Sequence, residues 1–232
     1  MMTRNISTMK NSTDLVIGDL VLAKTNQYIA FNKPAELAVV KDKSGDKALL
    51  DLAQIYTKSM VYLTHRIDRP ASGVVLLAKT KGALADINAQ FQERKIKKTY
   101  LAVVGEKPEP SSGTLVHFLK KNGKLNKSFA VEEGTAGAKK AELSYELLDS
   151  IDNYHLLKIE LHSGRHHQIR AQLATINAPI KGDVKYGFRR KNNDRSIHLH
   201  AWQLDFLHPV SKEAVHLEAP IPEETVWQAF NF

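Results

Sequence analysis

The residues best suited to chemistry lie in one short segment between two apolar stretches. The segment runs from His65 to Gly73 and contains Arg66, Asp68 and Arg69. A carboxylate among cationic side chains can attack as a nucleophile or accept a proton without a metal or redox cofactor. The same charges can also pair with one another inside a turn, since structural ion pairs are common. The residue types alone leave both interpretations open.

A second polar segment spans residues 162–170 and contains three histidines, which raises the alternative of a metal site. No HExxH pattern occurs, and Gly164 lies between His162 and His166, which argues against one continuous helix that carries both ligands. A metal-dependent nuclease would also need acidic ligands close to these histidines. The sequence therefore predicts no metal site.

Motifs for nucleotide cofactors and common hydrolases are absent from the sequence. It has no GxGxxG, P-loop or GxSxG pattern, so neither a nucleotide cofactor nor the α/β-hydrolase reaction is indicated. The chain has no cysteine, which excludes disulfides and thiolate chemistry and agrees with a reducing cytoplasm. Its longest apolar run, residues 73–78, is far shorter than the roughly 20 residues of a transmembrane helix.

The charge balance points to a polyanionic partner. Lysine and arginine number 33 against 25 acidic residues, which gives a net charge of +8. Such a balance favours phosphate contacts and counterion release. A polar segment at residues 1–12 is expected to be disordered, and residues 13–232 are expected to form a single domain and a monomer.

These segments must be positioned by a fold in which strands outnumber helices. A lysine-rich stretch at residues 115–141 predicts a solvated hairpin or a mobile arm. The apolar patterns predict strands and helices that are not regularly interleaved, which is typical of an α+β fold with a mixed, largely antiparallel sheet. The predicted strands are 28–31, 73–78, 100–104, 142–148, 154–161, 204–207 and 215–219, and the predicted helices are 81–94, 168–176 and 223–230.

Taken together, the segments resemble the RluA-type family of RNA pseudouridine synthases. Residues 65–79 resemble the family motif HRLDxxTSGLLLLAK, and residues 98–102 resemble its K-x-Y-x-A strand. Four further matches follow the family order, namely residues 32–34 (NKP), 164–170 (GRTHQIR), 179–187 (P-I-x-GD-x-x-YG) and 198–209 (the LHA…L.F.HP tail). The resemblance implies the pseudouridine synthase catalytic fold. Many relatives also carry an N-terminal S4-type RNA-binding domain, but too few residues precede Asn32 for one, so the catalytic domain alone is expected.

The chain departs from the family pattern at four positions. Ile67 replaces the usual leucine, Ala71 replaces threonine, His166 stands where threonine is common, and Glu36 stands where glycine is common. The change at Ile67 conserves volume. The change at Ala71 removes a hydroxyl group next to the Asp68 segment.

The resemblance implies that the chain isomerises uridine in tRNA or rRNA without a cofactor. Asp68 is then the nucleophile, Arg170 the cation that keeps its carboxylate ionised, and Tyr100 the ring that stacks on a flipped-out uracil. Arg66 is expected to enter the space that the base leaves. Contacts to the RNA backbone are expected from Arg69, Lys98, Arg165 and Lys181. The alternative is an inactive RNA-binding protein of the same fold.

Overall fold

One mixed sheet of eleven strands organises the part of the chain that the structure describes, residues 15–42 and 45–232 of a computed structural model. Its strands lie in the order β1-β2-β4-β10-β5-β9-β8-β6-β7, with β11 paired to β10 and β3 paired to β4. Strand β10 runs parallel to β4, and the other pairs are antiparallel. The strands are β1 Val21–Lys24, β2 Tyr28–Lys33, β3 Tyr62–Leu63, β4 Ser72–Ala78, β5 Lys97–Val104, β6 Ser112–Asn122, β7 Lys127–Val131, β8 Lys139–Ile151, β9 Tyr154–Leu161, β10 Leu199–Leu207 and β11 Ala214–Glu218.

Four α-helices accompany the sheet in the part of the chain that the structure describes. They are α1 Leu49–Thr57, α2 Lys81–Gln92, α3 Gln168–Thr175 and α4 Thr225–Gln228. Helix α2 begins after Thr80, whose hydroxyl accepts a hydrogen bond from the Ala83 amide at 3.1 Å. This is the usual way to satisfy a free amide at a helix N-terminus. No helix within residues 15–42 and 45–232 is long and apolar enough to span a membrane.

The mixed, mostly antiparallel α+β fold expected from the sequence is confirmed. Every predicted strand and helix has a counterpart, although β10 begins five residues before the predicted start at 204. Within the lysine-rich stretch, β6 and β7 form a hairpin and β8 pairs with β6, so the hairpin extends the sheet. The predicted disorder at residues 1–12 lies outside the described residues.

The centre of the sheet is apolar on both faces because β4 and β5 are rich in valine and leucine. On one face Phe31, Val75 and Ala102 belong to the core cluster that includes helix α3 residues. On the other face Leu76 belongs to a second core cluster, which includes Ile87 of helix α2. Strands that are buried on both faces are continuous apolar runs, which is why they could be predicted.

Strand β10 fixes the spacing between β4 and β5. Ala201 in β10 pairs with Gly73 in β4 on one side and with Tyr100 in β5 on the other. Gly73 has a φ of +112°, and a Cβ at this position would lie 2.2 Å from the Ala201 carbonyl oxygen. Only glycine fits such a conformation and such a close approach. The segment before Gly73 is therefore held at a fixed distance from Tyr100.

Candidate active site

A cleft of about 1090 Å³ opens where the Asp68 loop, strand β5 and helix α3 meet. The Asp68 loop, residues 64–71, leads into the first residue of β4. Tyr100 lies in the middle of β5, and Arg170 lies in the first turn of α3. All three of these side chains line the cleft. The fold thus brings together three residues that are far apart in the sequence.

A buried lysine anchors the Asp68 loop. The Lys33 side chain is fully buried at the end of β2, and its Nζ donates to the carbonyl oxygens of Pro34 at 2.7 Å, Arg69 at 3.1 Å and Ala71 at 2.6 Å. Three acceptors match the three protons of an ammonium group. Burial lowers the pKa of Lys33 to about 7. In addition, the Ala71 amide donates to the Asp68 carbonyl oxygen at 3.1 Å, so the backbone makes a tight turn that begins at Asp68.

The carboxylate of Asp68 is held through one oxygen. Arg170 Nη1 lies 3.1 Å from Oδ2, and His167 Nε2 lies 3.8 Å from the same oxygen. Oδ1 forms no hydrogen bond with any residue that the structure describes. The side chain is 24% exposed and faces the cleft. One oxygen is thereby oriented by a cation, and the other is left available to a bound molecule.

Arg170 also binds a second carboxylate, which the sequence analysis did not assign to the site. Its Nε and Nη2 donate to Oδ2 and Oδ1 of Asp183 at 2.7 and 2.8 Å. Burial opposes the charge of Arg170, but the hydrogen bonds and charges of Asp183 and Asp68 together raise its pKa. Arg170 therefore contacts Asp68 through one hydrogen bond, as expected from the sequence, and forms a bidentate contact with Asp183 in addition.

Tyr100 presents its ring to the cleft from the middle of β5. Only 9% of the residue is exposed. Burial, and next the charge of Asp68, raises the pKa of the Tyr100 hydroxyl above its usual value. The hydroxyl is therefore protonated at neutral pH, and the carboxylate of Asp68 is close enough to act on it electrostatically.

Three of the five predicted RNA-binding cations line the same cleft, namely Arg66, Lys98 and Arg165. Arg66 is exposed and forms no hydrogen bond or ion pair with any described residue. Arg165 donates through Nε to the Lys140 carbonyl oxygen at 2.9 Å. Burial, and next the charge of Arg165, lowers the pKa of Lys98 to about 8.

The other two predicted cations lie elsewhere. Arg69 points away from the cleft and donates to Asp42 at 3.0 Å and to Asp46 at 2.8 Å, which ties the Asp68 loop to the preceding segment. Lys181 lines a separate pocket of about 420 Å³ and donates to Asn192 Oδ1 at 3.0 Å. The structure therefore does not bring Lys181 or Arg69 to the side chain of Asp68.

Two of the departures from the family pattern have local structural consequences. Glu36, where glycine is common, has a φ of 64°, the left-handed conformation that glycine adopts most easily. Its amide donates to the Arg69 carbonyl oxygen at 2.8 Å, which holds it in that turn. His166, where threonine is common, stacks on His167 with ring centroids 3.8 Å apart.

Within residues 15–42 and 45–232, no group of three or more histidine or acidic side chains converges as metal ligands would. The histidines of the 162–170 segment are instead bound to neutral hydroxyl groups, His162 to Ser144 at 2.8 Å and His166 to Ser128 at 2.9 Å. Hydroxyl partners of this kind fix ring orientation and bring no further metal ligand.

Sequence reasoning missed three residues that shape the site, namely Lys33, His167 and Asp183. Lys33 and Asp183 lie in segments that were matched to family motifs, yet nothing in the residue types showed that these charges are buried. A lysine or an aspartate is usually exposed unless it is paired, and its partner is set by tertiary contacts.

Comparison with known proteins identifies the same family as the motifs. Residues 27–175 match the model of the RNA pseudouridylate synthase family. The chain is 32% identical over 204 residues to an uncharacterized RNA pseudouridine synthase of Mycoplasma pneumoniae, covering 87% of this chain and 66% of that protein. It is 30% identical to ribosomal large subunit pseudouridine synthase C of Buchnera aphidicola, with 89% and 68% covered.

A relative of similar length and a solved structure extend the comparison. The chain is 29% identical to tRNA pseudouridine synthase C of Vibrio parahaemolyticus, covering 90% of this chain and 92% of that one. The fold is similar to that of human RNA pseudouridylate synthase domain containing 4, with a TM-score of 0.76, 23% identity and coverage of 91% and 92%. The matched motifs thus lie on the fold that they require, and the chain belongs to the RNA pseudouridylate synthase family.

Proposed function

We propose that the chain converts uridine to pseudouridine within RNA, with Asp68 as the nucleophile. The observation that carries the proposal is the carboxylate of Asp68, with Oδ2 bound to Arg170 and Oδ1 unbonded among the described residues, at the wall of a basic cleft. An ionised carboxylate in a partly buried site needs such a cation. Oδ1 is the oxygen that attacks.

The reaction is an isomerisation, so the substrate and the product have the same atomic composition. The bond between N1 and the ribose C1′ breaks, a bond between C5 and C1′ forms, one proton leaves C5, and one proton is bound at N1. No electron is gained or lost overall, and the chemistry requires a nucleophile and a proton acceptor only. Attack at the uracil ring and attack at the ribose carbon both use Oδ1 of Asp68, and in either case the bond that Oδ1 forms to carbon breaks again before the product leaves, which restores the carboxylate.

The target uridine must leave its stack to reach Asp68, which costs a few kcal/mol. Tyr100 offers a ring on which a flipped uracil can stack, a contact worth roughly 1–3 kcal/mol per base. Arg66 is exposed at the cleft, forms no ion pair with a described residue and is free to enter the vacated space. Lys98 and Arg165 lie on the same walls and suit the phosphates on either side of the base.

The substrate class is structured RNA, either tRNA or rRNA. The relatives point to both, since one is named for the ribosomal large subunit and another for tRNA. The net charge of +8 suits either polyanion. The experiment therefore supplies both fractions, prepared with tritium at C5 of uridine from cells that lack the gene. Release of tritium reports the loss of the C5 proton that the isomerisation requires.

The expected result is release from one fraction by the wild-type protein and no release by Asp68→Asn. The amide is nearly isosteric with the carboxylate but cannot attack, so folding and RNA binding should be kept. Asp205→Asn, at a partly exposed position in β10 outside the cleft, is the matched control and should behave as wild type. RNA binding without tritium release from either fraction would favour the inactive RNA-binding protein.

A further inference from the structure

A buried tyrosine and a buried histidine lie directly behind Asp68. Tyr186 follows Asp183 in the segment 179–187, and His167 precedes helix α3; both side chains are buried. The Ser128 amide donates to Tyr186 Oη at 2.8 Å, and Tyr186 Oη lies 3.1 Å from His167 Nδ1. Three segments that are remote in sequence thus meet at one hydroxyl group.

The direction of these hydrogen bonds follows from the chemistry of the groups. A backbone amide can only donate, so the Tyr186 oxygen accepts from Ser128. Among the described residues, His167 Nδ1 is the one other hydrogen-bond partner of this oxygen, so the buried hydroxyl proton has an acceptor only if Nδ1 accepts it. A neutral imidazole whose Nδ1 accepts carries its proton on Nε2. The hydroxyl group of Tyr186 therefore selects the Nε2–H tautomer of His167.

The ring is neutral, and its position is constrained. Burial, and next the charge of Arg170, lowers the pKa of His167 to about 2. The His166 ring stacks on it at 3.8 Å with an interplanar angle of 20°, and Tyr186 meets it edge-on at 5.7 Å. His167 also has a φ of 52°, a strained conformation that tends to persist where the surrounding contacts require it.

The Nε2–H of this ring faces the nucleophile. Nε2 lies 3.8 Å from Asp68 Oδ2, the oxygen that Arg170 Nη1 binds at 3.1 Å. This separation is longer than a hydrogen bond, and catalytic contacts of this kind often shorten when substrate binds. The N–H dipole and the guanidinium group act on the same oxygen, and both oppose rotation of the carboxylate.

We propose that His167 is a positioning residue, whose neutral Nε2–H tautomer is set by Tyr186 and restrains Oδ2 of Asp68 so that Oδ1 is presented to uridine. The expected effect on kcat rests on the proposed function. The tautomer does not, because it can be measured in the free protein. Tyr186 acts through His167 and does not reach the substrate.

The first test is the tautomer, read by long-range ¹H–¹⁵N correlation in the ¹⁵N-labelled protein at pH 7. We expect His167 to show a protonated Nε2 and an unprotonated Nδ1, and Tyr186→Phe to shift the Nδ1 resonance because its donor is lost. A protonated Nδ1, or a charged ring, in the wild-type protein would overturn the proposal. This measurement requires no activity, so it stands even if the proposed reaction is wrong.

The second test distinguishes the role of Nε2 of His167 from that of Nδ1. A glutamine amide can place its donor near the position of Nε2, whereas an asparagine amide reaches only the position of Nδ1. We expect His167→Asn to lower kcat about tenfold or more with unchanged RNA affinity, and His167→Gln to recover most of that loss. His155→Asn, which removes a partly exposed histidine in β9 that binds Ser150 outside the cleft, is the matched control.

Equal kcat values for His167→Asn and His167→Gln, with equal melting temperatures, would overturn the positioning role. A fall in RNA affinity with unchanged kcat would also overturn it, because it would make His167 an RNA contact. If the wild-type protein converts no uridine in either RNA fraction, the proposed function fails, and the tautomer measurement alone then decides the structural part of the inference.

Discussion

Arg170 and Asp183 form a closed, bidentate ion pair, with Nε and Nη2 of the arginine 2.7 and 2.8 Å from the two carboxylate oxygens. Only 1% of the Asp183 side chain is exposed, whereas 24% of the Asp68 side chain is exposed. Asp183 thus fixes the guanidinium plane, and Nη1 reaches Asp68 from a position that is already determined. A bidentate pair of this kind adds directional specificity to its electrostatic energy.

The first prediction is that Arg170 is coupled more strongly to Asp183 than to Asp68. Breaking a buried pair by removing one partner typically costs about 3–5 kcal/mol. Urea unfolding of Arg170→Gln, Asp183→Asn, Asp68→Asn and the two double variants gives both coupling energies. We expect Arg170→Gln to remain costly in the Asp68→Asn background, because Asp183 is still charged. Equal coupling energies would contradict this.

The second prediction concerns Lys33. Lys33→Met keeps the length of the side chain but leaves three carbonyl groups without their donor, two of them in the Asp68 loop. Unsatisfied buried acceptors cost about 1–3 kcal/mol each in isolation. We expect a lower melting temperature and a lower kcat, because the Asp68 loop loses its anchor. Lys81→Met, at an exposed position at the start of helix α2 and outside the cleft, is the control and should change neither quantity.

A third prediction follows from Lys98, whose pKa is lowered to about 8 mainly by burial. A lysine loses its charge as pH rises through its pKa, so its phosphate contact should weaken between pH 7 and pH 9. Lys98→Arg keeps the charge throughout this range. We therefore expect RNA affinity to fall with pH in the wild-type protein and to fall less in the variant. The same pH dependence in both proteins would exclude Lys98 as its source.

The fourth prediction separates the ring of Tyr100 from its hydroxyl group. Tyr100→Phe should keep the affinity for RNA, whereas Tyr100→Ala should lose roughly 1–3 kcal/mol of binding and most activity. A Phe variant that binds normally but releases tritium slowly would assign the hydroxyl a part in removing the C5 proton. Near-normal rates for both variants would reduce Tyr100 to a packing residue.

The fifth prediction is structural. Gly73→Ala places a Cβ against the Ala201 carbonyl group in a left-handed conformation, so we expect a loss of more than about 3 kcal/mol or failure to fold. Gly82→Ala is the matched control. Gly82 lies in helix α2 with nothing near a new Cβ, and alanine there should stabilise the protein by about 0.5–1 kcal/mol. Similar stability of the two variants would refute the close approach at Gly73.

Much of the sheet could be predicted from sequence because its central strands are continuous apolar runs. Helix α1 at Leu49–Thr57 was not predicted. It buries only two residues, Leu49 and Ala53, and the residue before it, Ala48, has no side-chain group that could cap a helix. The Asp68 segment could be located because it concentrates charges between apolar stretches. The partners of those charges could not be predicted from the sequence, because Asp183 and Lys33 reach the site only through tertiary contacts.

The pairing of Ala201 with both Gly73 and Tyr100 has an evolutionary consequence. Because the distance between the Asp68 loop and Tyr100 is set by backbone pairing at these positions, surface residues around the cleft can be exchanged without altering it. Arg165, which is exposed at the cleft, belongs to this replaceable rim. Selection for a new RNA target can therefore act on the rim while the chemistry is conserved by the strands beneath it.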